Sequence, residues 1–353
     1  MNGRIKKLRE LLKQKGYSAI FLTDQTNIYY LTGFRGINPI ERESTALVTQ
    51  DEVHLFIPSM YKAQAENSIF GEVRIHVINS GIEFYSKAKE IVKDQKTAFE
   101  SRDIKYFEFE IINLPNFHPE QNLVQQIRLI KDEKEIKNIK KAVEITDMAF
   151  DYFLKNFKTG MKENEVARML RNFMEENGAE DMAFDPIVAS GVGSASPHHA
   201  TSEKVIGDGA LLIDMGARFQ GYNGDLTRTV FVGEPDQKFI NYYNLLNKIV
   251  DEVTVQIKSG VSVRDLWNIL QDNLGSDIKY MLHSLGHGVG LEIHEQPSLN
   301  PHNPANLETN MIITIEPGIY IENWGGIRIE DYILVGEDNA EVLSRADRKL
   351  ICL

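Results

Sequence analysis

Two acidic residues stand inside strand-patterned segments: Asp214 in LLIDMGARF and, eleven positions on, Asp225 in YNGDLTRT. Carboxylates are poor strand formers and are rarely buried unless something neutralises them. Their midpoint lies between Phe219 and Gln220. A hairpin turning there sets the two acids opposite each other on one face, with Thr227 on that face as support. Like charges across a strand pair destabilise it, so a cation between them is the natural remedy. The device recurs in TIEPGIYIENWGGIRIEDYILV, where Glu316 and Glu330 flank a turn centred near Asn323 and Arg328 shares the face of Glu330. Pro317 and Gly318 make that second register approximate. Two such hairpins predict a site with approximate two-fold symmetry.

Histidines concentrate in the same half of the chain: six of nine fall between positions 198 and 302. His287 lies among glycines in LGHGVGLEIHEQP, His294 follows it, and His198 and His199 come directly after Pro197. Small neighbours let a ligand approach the backbone closely. Four carboxylates and an imidazole form a hard, oxygen-rich set that can hold two divalent transition ions ~3.5–4 Å apart. Such a pair activates water and polarises a carbonyl, which is hydrolysis without a covalent enzyme intermediate. Taken singly, each acid reads more readily as a turn or edge residue. The paired hairpins bring the metal reading level with that plain one.

Other chemistries fail on inspection. HEQPS at 294–298 lacks the second histidine of a zincin helix, and Pro297 would break that helix. GHGVG has no strand–GxGxxG–helix context, Ser190 is not in a nucleophile elbow, and no Walker A sequence is present.

The length of 353 residues is ample for two domains. Hydrophobic and charged fractions of 42% and 25% are those of a soluble globular chain. A net charge of −12 argues against nucleic acid and anionic membranes as partners. The single cysteine, Cys352, excludes an internal disulfide and a thiolate metal site. MNGRIKKLRELLKQKG has no apolar core of a signal peptide, and no apolar run approaches the ~18 residues of a membrane span, so the expectation is a cytoplasmic protein.

Residues 1–122 alternate helix and strand patterns: a helix with Ile5, Leu8 and Leu12 on one face, then strands in SAIFLT, STALVTQDEVHLFI and EVRIHVI. The turn-rich NLPNFHPEQN, 113–122, predicts a linker, with a catalytic domain over 123–353. That domain reads as helices near 132–156, 162–177, 238–258 and 262–274, with strand-rich stretches at 186–232, 280–294 and 311–336.

The motifs IVASGVGSASPHH, IDMGARFQGYNGDLTRT, LGHGVGLEIHEQP, TIEPGIYI and GGIRIED, with TNIYYLTGF near the start, give the chain a family likeness. It resembles the pita-bread metallopeptidases, in their Xaa-Pro branch of aminopeptidase P and prolidase. The resemblance implies an α+β fold: a C-terminal pita-bread domain preceded by a smaller, non-catalytic creatinase-type α/β domain. It makes Asp214, Asp225, His287, Glu316 and Glu330 ligands of two ions (manganese, cobalt or zinc), with Asp225 and Glu330 bridging. It gives Glu316 the proton transfer, and His198, His294 and Arg328 the substrate; His199 receives no role beyond structure. Gly224, where the family often has serine, is expected to ease the turn. The implied substrate is a short peptide with proline second, the implied assembly a homodimer. Aminopeptidase P is preferred over the dipeptidase, prolidase. Methionine aminopeptidase, creatinase and a non-catalytic binding module rank below both.

Overall fold

The computed structural model describes residues 3–36, 38, 41–112 and 115–353. The chain divides into two compact units, Met1–Arg128 and Leu129–Leu353.

The first unit is built on a six-stranded sheet in the order Arg74–Ile78, Val53–Pro58, Thr45–Thr49, Ala19–Leu22, Thr97–Glu100, Phe117–Glu120. Ala19–Leu22 is buried along its whole length, which is why it reads as an unbroken apolar run. The helix Gly3–Gln14 buries Ile5, Leu8 and Leu12, the face its spacing predicts. The segment read as a linker carries the strand Phe117–Glu120, parallel to Thr97–Glu100; its residues 113 and 114 lie outside the described residues. Proline is compatible with a strand at a sheet edge, and Pro119 occupies one, so turn-forming composition concealed a real strand. Glu100 is half-buried and receives the N–H groups of Thr23 and Asp24 at 2.7 and 2.8 Å and the Asn27 amide at 2.6 Å. It fixes the start of the helix Gln25–Thr32.

The second unit consists of two helix-backed halves. Glu133–Asn156 and Glu163–Glu176 pack through Phe150, Phe153, Val166 and Leu170 onto Leu211, Ile213, Leu226 and Val230 of the strands Gly209–Met215 and Leu226–Val232. Asp132 caps the first of these helices: it accepts the Glu135 N–H at 2.9 Å, while the Glu135 carboxylate returns to the Asp132 N–H at 3.0 Å. Gln237–Gln256 and Val263–Leu274 pack through Leu246, Val250, Leu266 and Leu270 onto Ile313, Ile315 and Ile333 of the strands Ile312–Ile315 and Asp331–Val335. The halves meet where the Glu330 N–H donates to the Thr227 carbonyl at 3.1 Å and the Arg328 N–H to Thr229 Oγ1 at 3.1 Å.

Within 280–294, expected to be strand-rich, only His287–Gly288 is a strand. The glycines explain it. A Cβ at Gly286 would come within 1.9 Å of the Thr314 carbonyl oxygen, and one at Gly288 within 2.1 Å of that of Gln296. The segment is threaded tightly between two strands instead of extending a ladder of its own.

Candidate metal centre

The second hairpin has the expected centre. Gly318 pairs with Arg328 and Ile321 with Gly325, around a turn that places Asn323 at φ 63°. Ile312–Ile315 pairs with Asp331–Val335 in the same register, Ile315 opposite Asp331. Glu316 and Glu330 fall at the junction of these two ladders, where the chain leaves one sheet for the other.

The first hairpin is displaced. Asp214 pairs with Thr227, not Asp225, and Phe219 pairs with Tyr222, so the turn is centred between Gln220 and Gly221. Asp225 sits in the break between the strands Tyr222–Asn223 and Leu226–Val232. Gly216 and Gly224 permit the break: a Cβ on Gly216 would lie 2.0 Å from the Gly224 carbonyl oxygen. Gly224 does not ease the turn. A side chain there would strike Thr146 Oγ1 at 2.7 Å and the Ala142 carbonyl at 3.0 Å, so glycine lets the helix Glu133–Asn156 press against the hairpin.

Among the described residues, one set of three offers metal-ligand atoms that all lie within 4.8 Å of one another: Asp225, His287 and Glu330, each buried. His287 Nε2 lies 3.7 Å from Asp225 Oδ2 and 3.3 Å from Glu316 Oε1, which brings Glu316 to the same point. His287 Nδ1 is 3.1 Å from the Gly288 carbonyl. A carbonyl only accepts, so Nδ1 carries the proton and the Nε2 lone pair faces the carboxylates. Asp214 holds Arg328 Nη2 at 2.6 Å through Oδ2, while its Oδ1 is buried without a hydrogen-bond partner. An orphaned carboxylate oxygen beside three more acids fits a cation that the set is built to receive.

Electrostatics support that fit. Burial first, then the charges of Glu330, Asp214 and Glu316, hold Asp225 well above its ordinary 3.8. Burial, Glu316 and Asp214 do the same to Glu330, whose ordinary value is 4.5. Burial also raises Glu316 and lowers His287, keeping the imidazole neutral and able to ligate. A raised carboxyl binds more protons folded than unfolded. Its favourable contribution is therefore complete below the ordinary carboxylate range and is lost as pH rises through the raised values. A divalent ion offsets that loss. Loading the metal-free protein with manganese is expected to raise Tm little near about pH 5 and most near about pH 8. Thermal scans across that range check it, and a gain independent of pH would remove the assignment of these acids to one cation site.

Thr227 Oγ1 donates to Glu330 Oε2 at 2.8 Å and accepts from Arg328 Nε at 2.9 Å, so it supports both. His294 is exposed and stands edge-on to the His287 ring, with centroids 4.5 Å apart. His198 is exposed, next to Pro197, whose carbonyl accepts from Arg328 Nη1 at 3.4 Å. His199 turns away to Glu163, 3.0 Å from Nε2 to the buried carboxylate.

Two residues at the site went unread in the sequence. Arg328 Nη1 donates to the Tyr320 hydroxyl at 2.8 Å, and that hydroxyl lies 2.8 Å from His283 Nε2. Guanidinium only donates, so the tyrosine proton goes to Nε2, and His283 Nδ1–H turns to the Ser284 carbonyl at 2.8 Å. His283 Nδ1 also stands 3.7 Å from Glu316 Oε2. The signal available was Tyr320 itself, on the Glu316 face four residues along the strand pattern.

Residues 137–337 match metallopeptidase family M24, and residues 4–130 match the creatinase/prolidase N-terminal domain. The chain belongs to metallopeptidase family M24. Its fold is the α+β pita-bread arrangement behind a creatinase-type domain. The Xaa-Pro dipeptidase of Pyrococcus horikoshii is 36% identical, over 99% of each chain. Among solved structures, an Xaa-Pro dipeptidase from Bacillus anthracis has 35% identity and a TM-score of 0.92, covering 99% of both chains. An X-Pro aminopeptidase from Thermotoga maritima has 31% identity and a TM-score of 0.86, over 98% of this chain and 100% of that one. Family M24 membership means divalent metal use, in accord with the donor set above. No helix among the described residues is long and apolar enough to cross a membrane.

Proposed function

We propose that this family M24 protein hydrolyses the peptide bond between an N-terminal residue and a following proline. The observation that carries the reading is the convergence of Asp225, His287 and Glu330 within 4.8 Å, beside Asp214 with its unpartnered oxygen. In this reading Asp225 and Glu330 would serve both of two divalent ions, Asp214 would complete the donor set of one, and His287 with Glu316 that of the other. Bound there, the pair supplies Lewis-acid polarisation of the scissile carbonyl and a water acidic enough to react at neutral pH.

The chain's own residues do the rest. Glu316, raised above its ordinary value by burial, takes a proton from the attacking water and returns it to the proline nitrogen as the C–N bond breaks. His294 and His198 line the approach and donate to the oxyanion that develops on the carbonyl oxygen. Arg328 is fixed by Asp214, Thr227 and Tyr320, so its guanidinium orients the substrate without reorganising. Proline's tertiary amide offers no N–H to a strand-like binding site, and a metal-polarised carbonyl does not need one. The names of the relatives at 34–36% identity favour a dipeptide substrate, the dipeptidase alternative to the aminopeptidase first preferred.

Purified protein loaded with manganese is expected to cleave Ala-Pro, and to leave Ala-Ala and Met-Ala-Ala intact. Cleavage of Ala-Pro-Ala before the proline would make it an aminopeptidase. Cleavage of Met-Ala-Ala alone, or of nothing, would overturn the reading. The same proposal includes a cytoplasmic homodimer, and a single-chain mass in light scattering would refute the dimer.

A further inference from the structure

His294 is held by no strand of its own. It lies in the loop between the strands His287–Gly288 and Glu295–Ser298. Leu291 and Ile293 are partly buried against a cluster of Tyr222, Val289 and Tyr332, while Glu292 and His294 alternate with them. Apolar anchoring alone sets which way the loop faces, not how far it can slide.

We infer that Asn223 is a positioning residue for His294, clamping this loop to the strand segment that leads into Asp225. Its backbone N–H donates to the Gly290 carbonyl at 2.9 Å. Its side-chain Nδ2 donates to the carbonyls of Gly290 at 3.2 Å and Leu291 at 3.1 Å. Its own carbonyl accepts the Tyr332 hydroxyl at 2.7 Å, two residues beyond Glu330. One buried residue, 3% exposed, thus ties the His294 loop to both carboxylate hairpins.

The choice of side chain is informative. Asn223 Oδ1 is buried without a hydrogen-bond partner among the described residues, so the amide carries a desolvation cost that an apolar residue of the same shape avoids. What the asparagine supplies is its pair of N–H donors, and both point at the loop. A second brace holds the far end: Glu295 accepts the Glu292 N–H at 3.2 Å and pairs with buried Lys131 at 3.2 Å. Between these braced ends His294 stands edge-on to His287.

The inference rests on the reading of His294 as a substrate contact, and a double-mutant cycle separates the two. Wild type, Asn223→Leu, His294→Ala and the double variant are compared on Ala-Pro, or on Ala-Pro-Ala if only the longer peptide is cleaved, with metal content measured in each. Leucine preserves shape and removes the side-chain donors together with the unpartnered Oδ1; Asn223→Ala carries the same test should leucine overpack. Asn223→Leu is expected to keep its metal and lose roughly 10- to 100-fold in kcat/KM, as supporting residues around such sites do. In the His294→Ala background the same change is expected to cost less than about two-fold, because what it positions is already gone. Losses that multiply in the double variant would show a general packing role and overturn the inference. So would wild-type activity in Asn223→Leu beside a crippled His294→Ala. Full activity in His294→Ala would remove the substrate-contact reading itself, and the inference with it.

Discussion

Replacing Asp225 with asparagine is expected to lower kcat/KM by about 1000-fold or more, the factor corresponding to ~4 kcal/mol of lost transition-state stabilisation. Asparagine keeps the volume and removes the charge. Asp225 is 5% exposed, 3.7 Å from His287 Nε2, and the proposed arrangement makes it a bridge, so both ions lose a ligand together. Metal analysis of the purified variant is expected to show reduced content of both. Near-normal turnover in metal-replete buffer would sink the ligand assignment. A second signature separates loss of metal from loss of fold. Burial and three neighbouring acids disfavour the charged form of Asp225, so the metal-free variant is expected to match or exceed metal-free wild type in stability at neutral pH.

Arg228→Met is expected to destabilise the second unit by about 3–5 kcal/mol, the usual loss when one partner of a buried ion pair is removed. Arg228 Nη2 reaches Asp331 Oδ1 at 2.8 Å and the Ala346 carbonyl at 2.7 Å, with 1% and 3% of the two charged side chains exposed. Its Nη1 donates to the carbonyls of Thr227, at 3.0 Å, and Glu330. It therefore joins the two halves of the unit directly behind Thr227 and Glu330, and draws in the chain after Asp331. Ser344 Oγ and Arg348 Nε also meet Asp331, at 2.9 and 3.1 Å, and keep part of its charge compensated. Urea denaturation of the metal-free protein measures the effect as a lower midpoint with unchanged slope. A loss under about 1 kcal/mol would mean that Arg228 contributes no more than an exposed ion pair.

The arginine shows why parts of this site were hidden in the sequence. TRT reads as ordinary strand alternation, and nothing local says that Arg228 faces a buried aspartate a hundred positions away. His283 and Tyr320 were missed for the same reason. Tyr320 lies four residues after Glu316 and His283 four before His287, yet their chain from Arg328 to Ser284 exists only once the second hairpin folds back on the segment before Gly286. The first hairpin erred differently. Spacing alone placed its turn one residue early: the ladders on both sides of Asp225 keep one register about Gln220 and Gly221, whose φ values of 50° and 82° make the two-residue turn, so the two acids are not directly opposite each other.

What the sequence determined by itself is the chemistry: acids in strand-patterned segments that no apolar core would tolerate, one pair of them placed symmetrically about its turn, with an imidazole among glycines. Those properties are local, since a charge in a strand and the midpoint of a hairpin are set by neighbours along the chain. The second hairpin, whose strands pair without a bulge, was legible to the residue. Tertiary structure alone decided which acids share a point, that Asp214 engages Arg328, and that Asn223 holds the loop of His294. Those outcomes depend on how closely two sheets and a helix can approach. That distance is set by packing between segments a hundred residues apart, which no local pattern encodes.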